Sequence, residues 1–118
     1  MGYLIDTNIL SDYIKGTLPQ KTRSILRKQS MIRISFITKI ELLCWKEHDD
    51  TIKNLISICS VENVTEGIIN ECINIRRRYT IKLPDAIIAA TAISENLTLI
   101  TGNSKDFKIV RGLKVLKL

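Results

Sequence analysis

The stretch Tyr3-Leu4-Ile5-Asp6-Thr7-Asn8-Ile9-Leu10 passes from a strand pattern to a helix pattern. Its three leading apolar residues predict a short buried strand. Apolar residues then recur at helical spacing as far as Ile14, and Gly16 is suited to end that helix. Asp6 stands between the two elements, at the carboxyl end of the strand, where parallel α/β sheets bind their ligands.

The same alternation continues along the rest of the chain. Further strands are predicted at 31–36, 59–64, 97–101 and 115–116, with helices that begin near residues 19, 37, 49 or 50, 65 and 84, and a short turn or helix at 106–107. Alternating strands and helices with short linkers favour parallel βαβ units. The predicted fold is therefore α/β, a three-layer α/β/α sandwich with a mostly parallel central sheet, formed by residues 1–118 as a single domain.

Composition narrows the class of protein. The 118 residues are 45% hydrophobic and 25% charged, as in ordinary globular domains. Asp6 interrupts the first apolar run, and no run approaches the ~18 residues of a membrane span, so we expect a cytoplasmic protein without a signal peptide. Cys44, Cys59 and Cys72 form no C-x-x-C pair and are expected to be buried, reduced thiols. The formal net charge of +6 is compatible with a polyanionic partner or with solubility alone.

Four acids fall where the predicted strands end. Asp6 follows the first strand, Glu41 lies one helical turn beyond the second, Asp85 opens the alanine-rich helix, and Asp106 follows the strand at 97–101. Carboxylates that meet at one sheet edge repel each other, and a hard divalent cation such as Mg²⁺ or Mn²⁺ relieves the repulsion. His48 is the sole histidine, and no nucleophile motif accompanies it. The combination predicts metal-dependent chemistry on a phosphodiester.

Each acid also has a simpler structural explanation. Asp6 can cap the helix that follows it, and Asp85 can complement the dipole of its own helix behind Pro84. Glu41 can lie at the rim of the fold in water, and Asp106 can be a turn residue. No acid establishes the site by itself, and the prediction depends on all four together.

Four segments, in order, resemble the motifs of PIN domains. They are Leu4-Ile5-Asp6-Thr7-Asn8-Ile9-Leu10, residues 34–43 (ISFITKIELL), residues 83–92 (LPDAIIAATA) and residues 99–107 (LITGNSKDF). The resemblance spans the chain and is greatest to VapC-type toxins of prokaryotic toxin–antitoxin pairs. It implies an α/β/α sandwich, RNA cleavage that depends on Mg²⁺ or Mn²⁺, a cognate antitoxin that covers the acidic site, and a homodimer. The stretch between the second and third motifs is short for the family, which suggests trimmed helices there.

The resemblance also implies roles for individual residues. Asp6 and Asp85 would be the principal metal ligands, and Glu41 would bind the ion, or position or deprotonate its water. The family places its fourth acid at either of two positions, here Asn103 and Asp106, and we favour Asp106 as the fourth metal-binding and catalytic carboxylate. Thr7, Asn8 and Asn103 are assigned to substrate binding.

The resulting hypothesis is in-line attack of a metal-activated water on an RNA phosphorus, leaving 5′-phosphate and 3′-hydroxyl ends. Arg76, Arg77 and Arg78 are candidates to hold the RNA backbone, or simply a solvated helix end. A phosphatase of the haloacid-dehalogenase type would need an acid at position 8, which is Asn. A PIN fold that binds RNA or protein without cleaving is the alternative function. The identity of the RNA is left open.

Overall fold

A computed structural model of the protein describes residues 2–116. Its sheet has four parallel strands in the order β3-β2-β1-β4, with β1 at Tyr3–Ile5, β2 at Ile32–Ser35, β3 at Cys59–Glu62 and β4 at Thr98–Ile100. The predicted parallel sheet is confirmed. The predicted last strand is wrong in extent, because Val115 forms only an isolated parallel bridge with Leu99.

Seven helices connect or follow the strands in the described part of the chain. They are α1 (Thr7–Lys15), α2 (Gln20–Arg27), α3 (Phe36–Leu43), α4 (Asp49–Ser57), α5 (Glu66–Arg78), α6 (Leu83–Ser94) and α7 (Ser104–Phe107). Gly16 ends α1 in the left-handed conformation, with φ 76°, as its position predicted. Thr65 caps α5 through its hydroxyl, at the helix start predicted near residue 65.

Helix α4 begins at Asp49, within the predicted start at residue 49 or 50. His48, with a left-handed φ of 61°, is the residue before the helix, and Asp49 and Asp50 lie within the first turn. There the two carboxylates complement the positive end of the helix dipole without capping a backbone N–H through their side chains. Asn96 adopts a left-handed conformation, with φ 54°, just beyond the end of α6.

Two hydrophobic cores lie on opposite faces of the sheet. Leu4 and Leu99 face a core shared with α5, α6 and α7, whereas Ile5 and Ile100 face a core shared with α1, α2, α3 and α4. Alternate residues of each strand point to opposite faces, so a sheet covered on both sides needs apolar residues throughout its central strands. The three-layer α/β/α sandwich is therefore confirmed.

Helix α6 is deeply buried along its alanine-rich part. Ala86, Ala89, Ala90 and Ala92 have no exposed surface, and these small side chains let the helix approach the sheet and α5 closely. Such a helix holds its first turn in a fixed place, because its residues from Ala86 to Ala92 are buried or half-buried. The first turn of α6 contains Asp85.

The prediction for the cysteines is only partly correct. Cys72 is buried and Cys59 is half-buried, but Cys44 is exposed. Helix α3 turns Thr38 and Leu42 inward, and Cys44, at its end, lies off that buried face. Among residues 2–116 there is no helix with the length and apolar character needed to cross a bilayer.

Candidate active site

The candidate active site lies in the crevice between the ends of β1 and β4. From β1 the chain crosses to β2 on one side of the sheet, and it later returns to β4 on the other side. The connections after β1 and β4 therefore diverge, and such switch points are where open α/β sheets bind ligands. The two strand ends are held together by the Asp6 backbone N–H, which donates to the Ile100 carbonyl at 3.0 Å.

Asp6 is both a helix cap and a buried acid. Its side chain is 5% exposed, Oδ1 accepts from the Thr7 backbone N–H at 2.8 Å, and Oδ2 accepts from the Thr101 hydroxyl at 2.7 Å. Burial raises the pKa of Asp6, and repulsion from Asp85 and Glu41 raises it further, against the lowering effect of the two hydrogen bonds. The capping role and the predicted place at the sheet edge thus belong to the same carboxylate.

Glu41 lies at the rim of the crevice. Its side chain is exposed, and Oε1 accepts a hydrogen bond of 2.7 Å from the Thr7 hydroxyl. That hydroxyl also lies 2.9 Å from the hydroxyl of Thr38, which is fully buried. Because a hydroxyl has one proton and Thr7 donates it to Glu41, Thr38 must be the donor in the second bond. The buried Thr38 thus orients the Thr7 hydroxyl, which in turn orients the exposed Glu41 side chain.

Asp85 and Asp106 form the opposite side of the site. Asp85 is half-buried in the first turn of α6, and burial is the main reason that its pKa is raised, followed by repulsion from Asp106 and Glu41, with Lys82 opposing. Asp106 is exposed on α7, where its Oδ2 accepts from the Asn103 side-chain amide at 2.6 Å. The two positions considered for the fourth acid are thus joined by a hydrogen bond, and the choice of Asp106 as the fourth site acid stays a prediction.

The four acids interact over an electrostatic range, and they are not drawn into ligating contact. Repulsion links Asp6 with both Asp85 and Glu41, and links Asp85 with Asp106. Yet no three His, Cys, Asp or Glu side chains between residues 2 and 116 lie close enough to be a preformed metal site. The four acids thus lie near the same sheet edge, as the sequence predicted, but they do not form a preformed metal site.

The chemistry of the donor set fits a hard cation. Thr101, Thr7 and Asn103 orient the carboxylates through neutral hydrogen bonds, and within the described residues no Lys or Arg forms an ion pair with any of the four acids. Negative charge is gathered here without an ion pair in the described part of the chain, although Lys82 partly offsets it at Asp85. Carboxylate oxygens around such charge are the ligands that Mg²⁺ and Mn²⁺ take.

The residues assigned to substrate binding are engaged within the fold. Thr7 holds Glu41, Asn8 Oδ1 accepts from the Gly102 backbone N–H at 3.4 Å, and Asn103 holds Asp106. Their contact with substrate stays a prediction. Sequence reasoning missed Thr101 and Thr38, which orient the acids. Thr101 could have been found as the first polar residue after β4, the position that Asp6 has after β1.

A basic cleft opens beside Asp85 and Asp106. Its volume is about 730 Å³, and its lining includes Arg76, Lys82 and Lys105. The cations surround the two acids without pairing with them among residues 2–116. Positive side chains next to an acidic centre suit a substrate that is itself an anion.

The chain is similar to known proteins over most of its length. The sequence profile of the PIN domain matches residues 3–113. The chain belongs to the PIN-domain family. It is 31% identical to Ribonuclease VapC1 of Rickettsia felis, over 98% of this chain and 96% of that protein. A ribonuclease is thus among the relatives of this PIN domain.

Solved structures of similar proteins agree with the family. A toxin–antitoxin complex from Klebsiella pneumoniae contains a chain that superposes on this PIN domain with a TM-score of 0.82 and 33% identity, over 98% of this chain and 97% of that one. VapBC-1 from nontypeable Haemophilus influenzae superposes with a TM-score of 0.82 and 25% identity, over 99% and 98% of the two chains. The fold is therefore shared over nearly the whole chain.

Replacement of Thr101 by valine should lower both the stability and the activity of this PIN domain. The Thr101 hydroxyl donates to Asp6 and accepts from the Asn103 backbone N–H at 3.0 Å, so Thr101→Val leaves the buried carboxylate without one of its two donors. We expect a loss of about 1–3 kcal/mol in the free energy of unfolding, by chemical denaturation, and roughly a tenfold loss of nuclease activity. Thr101→Ser should restore both.

Thr91→Val is the matched control for this change. Thr91 is also fully buried, but its hydroxyl donates to the Ile87 carbonyl within α6, away from the acids. It should leave activity unchanged. Equal effects of Thr101→Val and Thr91→Val on activity would show that the Thr101 hydroxyl does not serve the site.

Proposed function

We propose that this PIN domain is a divalent-metal-dependent endoribonuclease and the toxin of a toxin–antitoxin pair. The observation that carries the proposal is the group of uncompensated carboxylates at the β1–β4 crevice beside a basic cleft. Membership of the PIN family and the similarity to a VapC ribonuclease support the choice of RNA.

The proposed chemistry assigns each side chain a task. Asp6 and Asp85 would hold the cation, with Asp106 completing the set, and Thr101 and Asn103 keep two of these carboxylates oriented. Mg²⁺ or Mn²⁺, when bound, would lower the pKa of a water and stabilise negative charge that develops on the phosphate. Glu41, oriented by Thr7, would accept the proton of the attacking water.

The substrate would be positioned by the cations of the basic cleft. Lys82 and Lys105 line it together with Asp85 and Asp106, so a phosphate next to the acids would meet both lysines. Attack by water on phosphorus, with cleavage of the bond to the 3′ oxygen, yields a 5′-phosphate and a 3′-hydroxyl. No protein nucleophile is required.

The proposed partners are a cognate antitoxin and a second copy of the chain. The similar chain from Klebsiella pneumoniae was solved within a toxin–antitoxin complex, which supports an antitoxin as a separate protein that binds this PIN domain. An antitoxin that covers the basic cleft would exclude RNA from the acids. A homodimer is proposed from the family resemblance, and a cytoplasmic location from the sequence.

The direct test is cleavage of RNA by the purified chain in Mg²⁺ or Mn²⁺. We expect internal cuts in single-stranded RNA, with fragments whose new ends can be ligated as 5′-phosphates and extended as 3′-hydroxyls. The antitoxin encoded beside the gene should suppress the cuts when added in equal amount. Fragments with 2′,3′-cyclic phosphates would contradict hydrolysis by water, because they arise by attack of the RNA's own 2′-hydroxyl.

A further inference from the structure

A second basic cleft adjoins the one beside the acids. It has a volume of about 370 Å³ and is lined by the arginines Arg77, Arg78 and Arg111, with Glu71 as the one acid in its lining. The three arginine side chains are exposed, and in the chain from residue 2 to residue 116 none of them is in an ion pair. Guanidinium groups that lack carboxylate partners are available to bind phosphate in pairs of hydrogen bonds.

The arginines of this second cleft come from two separate segments. Arg77 and Arg78 end α5, where positive charge also complements the helix dipole. The dipole does not explain Arg111, which follows α7 and lines the same cleft as that helix end. Convergence of cations from distant parts of the chain is the feature that distinguishes this surface from a solvated helix terminus.

Tyr79 joins the two clefts. It is half-buried, it lines both of them, and its hydroxyl accepts a hydrogen bond of 3.2 Å from the Arg111 backbone N–H. The Arg76 guanidinium donates to the Ile81 carbonyl at 2.8 Å and so braces the segment that separates the clefts. The segment that separates the clefts is therefore held by hydrogen bonds on both sides, and cations line both clefts.

We propose that the second cleft is a binding site for the RNA backbone beyond the scissile phosphate. The strand would leave the acids over Tyr79 and place its next phosphates against Arg77, Arg78 and Arg111. This inference rests on the proposed ribonuclease function, and it adds a sequence-independent interaction that would favour longer RNAs over short ones.

The test compares two variants with equal loss of charge. One is Arg77→Gln/Arg78→Gln/Arg111→Gln, and the control is Lys21→Gln/Lys28→Gln/Lys53→Gln, which removes three exposed cations from α2, its C-terminal end and α4. Both are made with Asp6→Asn, so that RNA is bound without being cut. Binding of a fluorescent single-stranded RNA of about 20 nucleotides is measured by anisotropy at several salt concentrations.

We expect the arginine variant to bind this RNA about tenfold more weakly than its parent, and the lysine variant to bind within about twofold. The slope of log K against log salt should flatten by about 0.7 for each phosphate that the protein no longer neutralises. The advantage of the long RNA over one of about four nucleotides should shrink in the arginine variant. Circular dichroism and thermal unfolding of both variants establish that each is folded.

Equal RNA binding by the two variants would overturn the proposal. So would an arginine variant that keeps its affinity for RNA but loses affinity for a hexaglutamate peptide, because the cleft would then serve an acidic protein segment. The proposed function is tested separately, by cleavage of the long RNA with the unaltered chain. An unaltered chain that cuts RNA, together with equal binding by the variants, would refute the second cleft while leaving the proposed function intact.

Discussion

Asp6→Asn should reduce RNA cleavage by a factor on the order of 10³ or more, while leaving the fold intact. Stabilisation of transition-state charge by a bound cation is worth several kcal/mol, and each 1.4 kcal/mol corresponds to about a tenfold change in rate. Asn still caps α1, because its side-chain oxygen can accept from the Thr7 backbone N–H as Asp6 does. The measurement is the initial rate of cleavage of a labelled single-stranded RNA.

The same substitution should not lower the stability of the metal-free protein. Burial and repulsion from Asp85 and Glu41 raise the pKa of Asp6, so the charged form is disfavoured in the folded state. Removing that charge relieves the repulsion, and the thermal midpoint in EDTA should stay level or rise. A level or raised thermal midpoint is expected where a charged functional site lowers the stability of the fold.

Asp12→Asn is the control for this prediction. Asp12 is half-buried on α1, the helix that Asp6 caps. It lines neither cleft and does not belong to the acidic group. It should cleave RNA at the rate of the unaltered chain. If Asp6→Asn were as active as Asp12→Asn, the carboxylate at the sheet edge would have no part in the chemistry, and the fold would be better regarded as a binding module.

Removal of divalent ions should abolish cleavage, by at least about 100-fold, and Mg²⁺ or Mn²⁺ should restore it. The uncompensated charge on Asp6, Asp85 and their neighbours gives the reason, because a cation would relieve repulsion that raises the pKa of both residues. A second readout is independent of activity. Mn²⁺ at about 100 times its dissociation constant should stabilise the folded chain by roughly 2.7 kcal/mol.

Asp85→Asn separates a specific ion effect from a general one. This variant should show a much smaller stabilisation by Mn²⁺, whereas Asp49→Asn, on α4 and outside the acidic group, should respond like the unaltered chain. Cleavage that persists in EDTA would contradict the proposed mechanism. Absence of both Mn²⁺ binding and cleavage would favour a PIN fold that only holds RNA or protein.

The neutral character of the orienting residues connects these predictions. Lysine or arginine beside Asp6 would hold the carboxylate as firmly as Thr101 does, but it would also cancel the charge that a cation needs. Threonine and asparagine side chains give direction without charge. The position of the cations, in the clefts beside the acids, leaves them free for phosphates instead.

The fold class, and the expectation that the acids lie near one sheet edge, follow from the sequence alone. Apolar runs such as Leu4-Ile5 and Leu99-Ile100 have the length and composition of strands buried on both faces, and turn residues such as Gly16 and Thr65 end or begin helices by local chemistry. These signals act over a few residues, so they are legible without knowing what lies across the fold. The order of strand and helix then places Asp6 and Asp85 near one sheet edge.

The tertiary structure alone decided how the site is held and which surfaces extend it. Asp6 and Thr101 are 95 residues apart in sequence, and Thr7 and Glu41 are 34 apart, so no local pattern predicts that they share hydrogen bonds. The exposure of Cys44 and the convergence of Arg111 with the end of α5 depend likewise on how helices pack against the sheet. Local sequence sets the elements, and contacts between distant residues arise only when both faces of the sheet are covered.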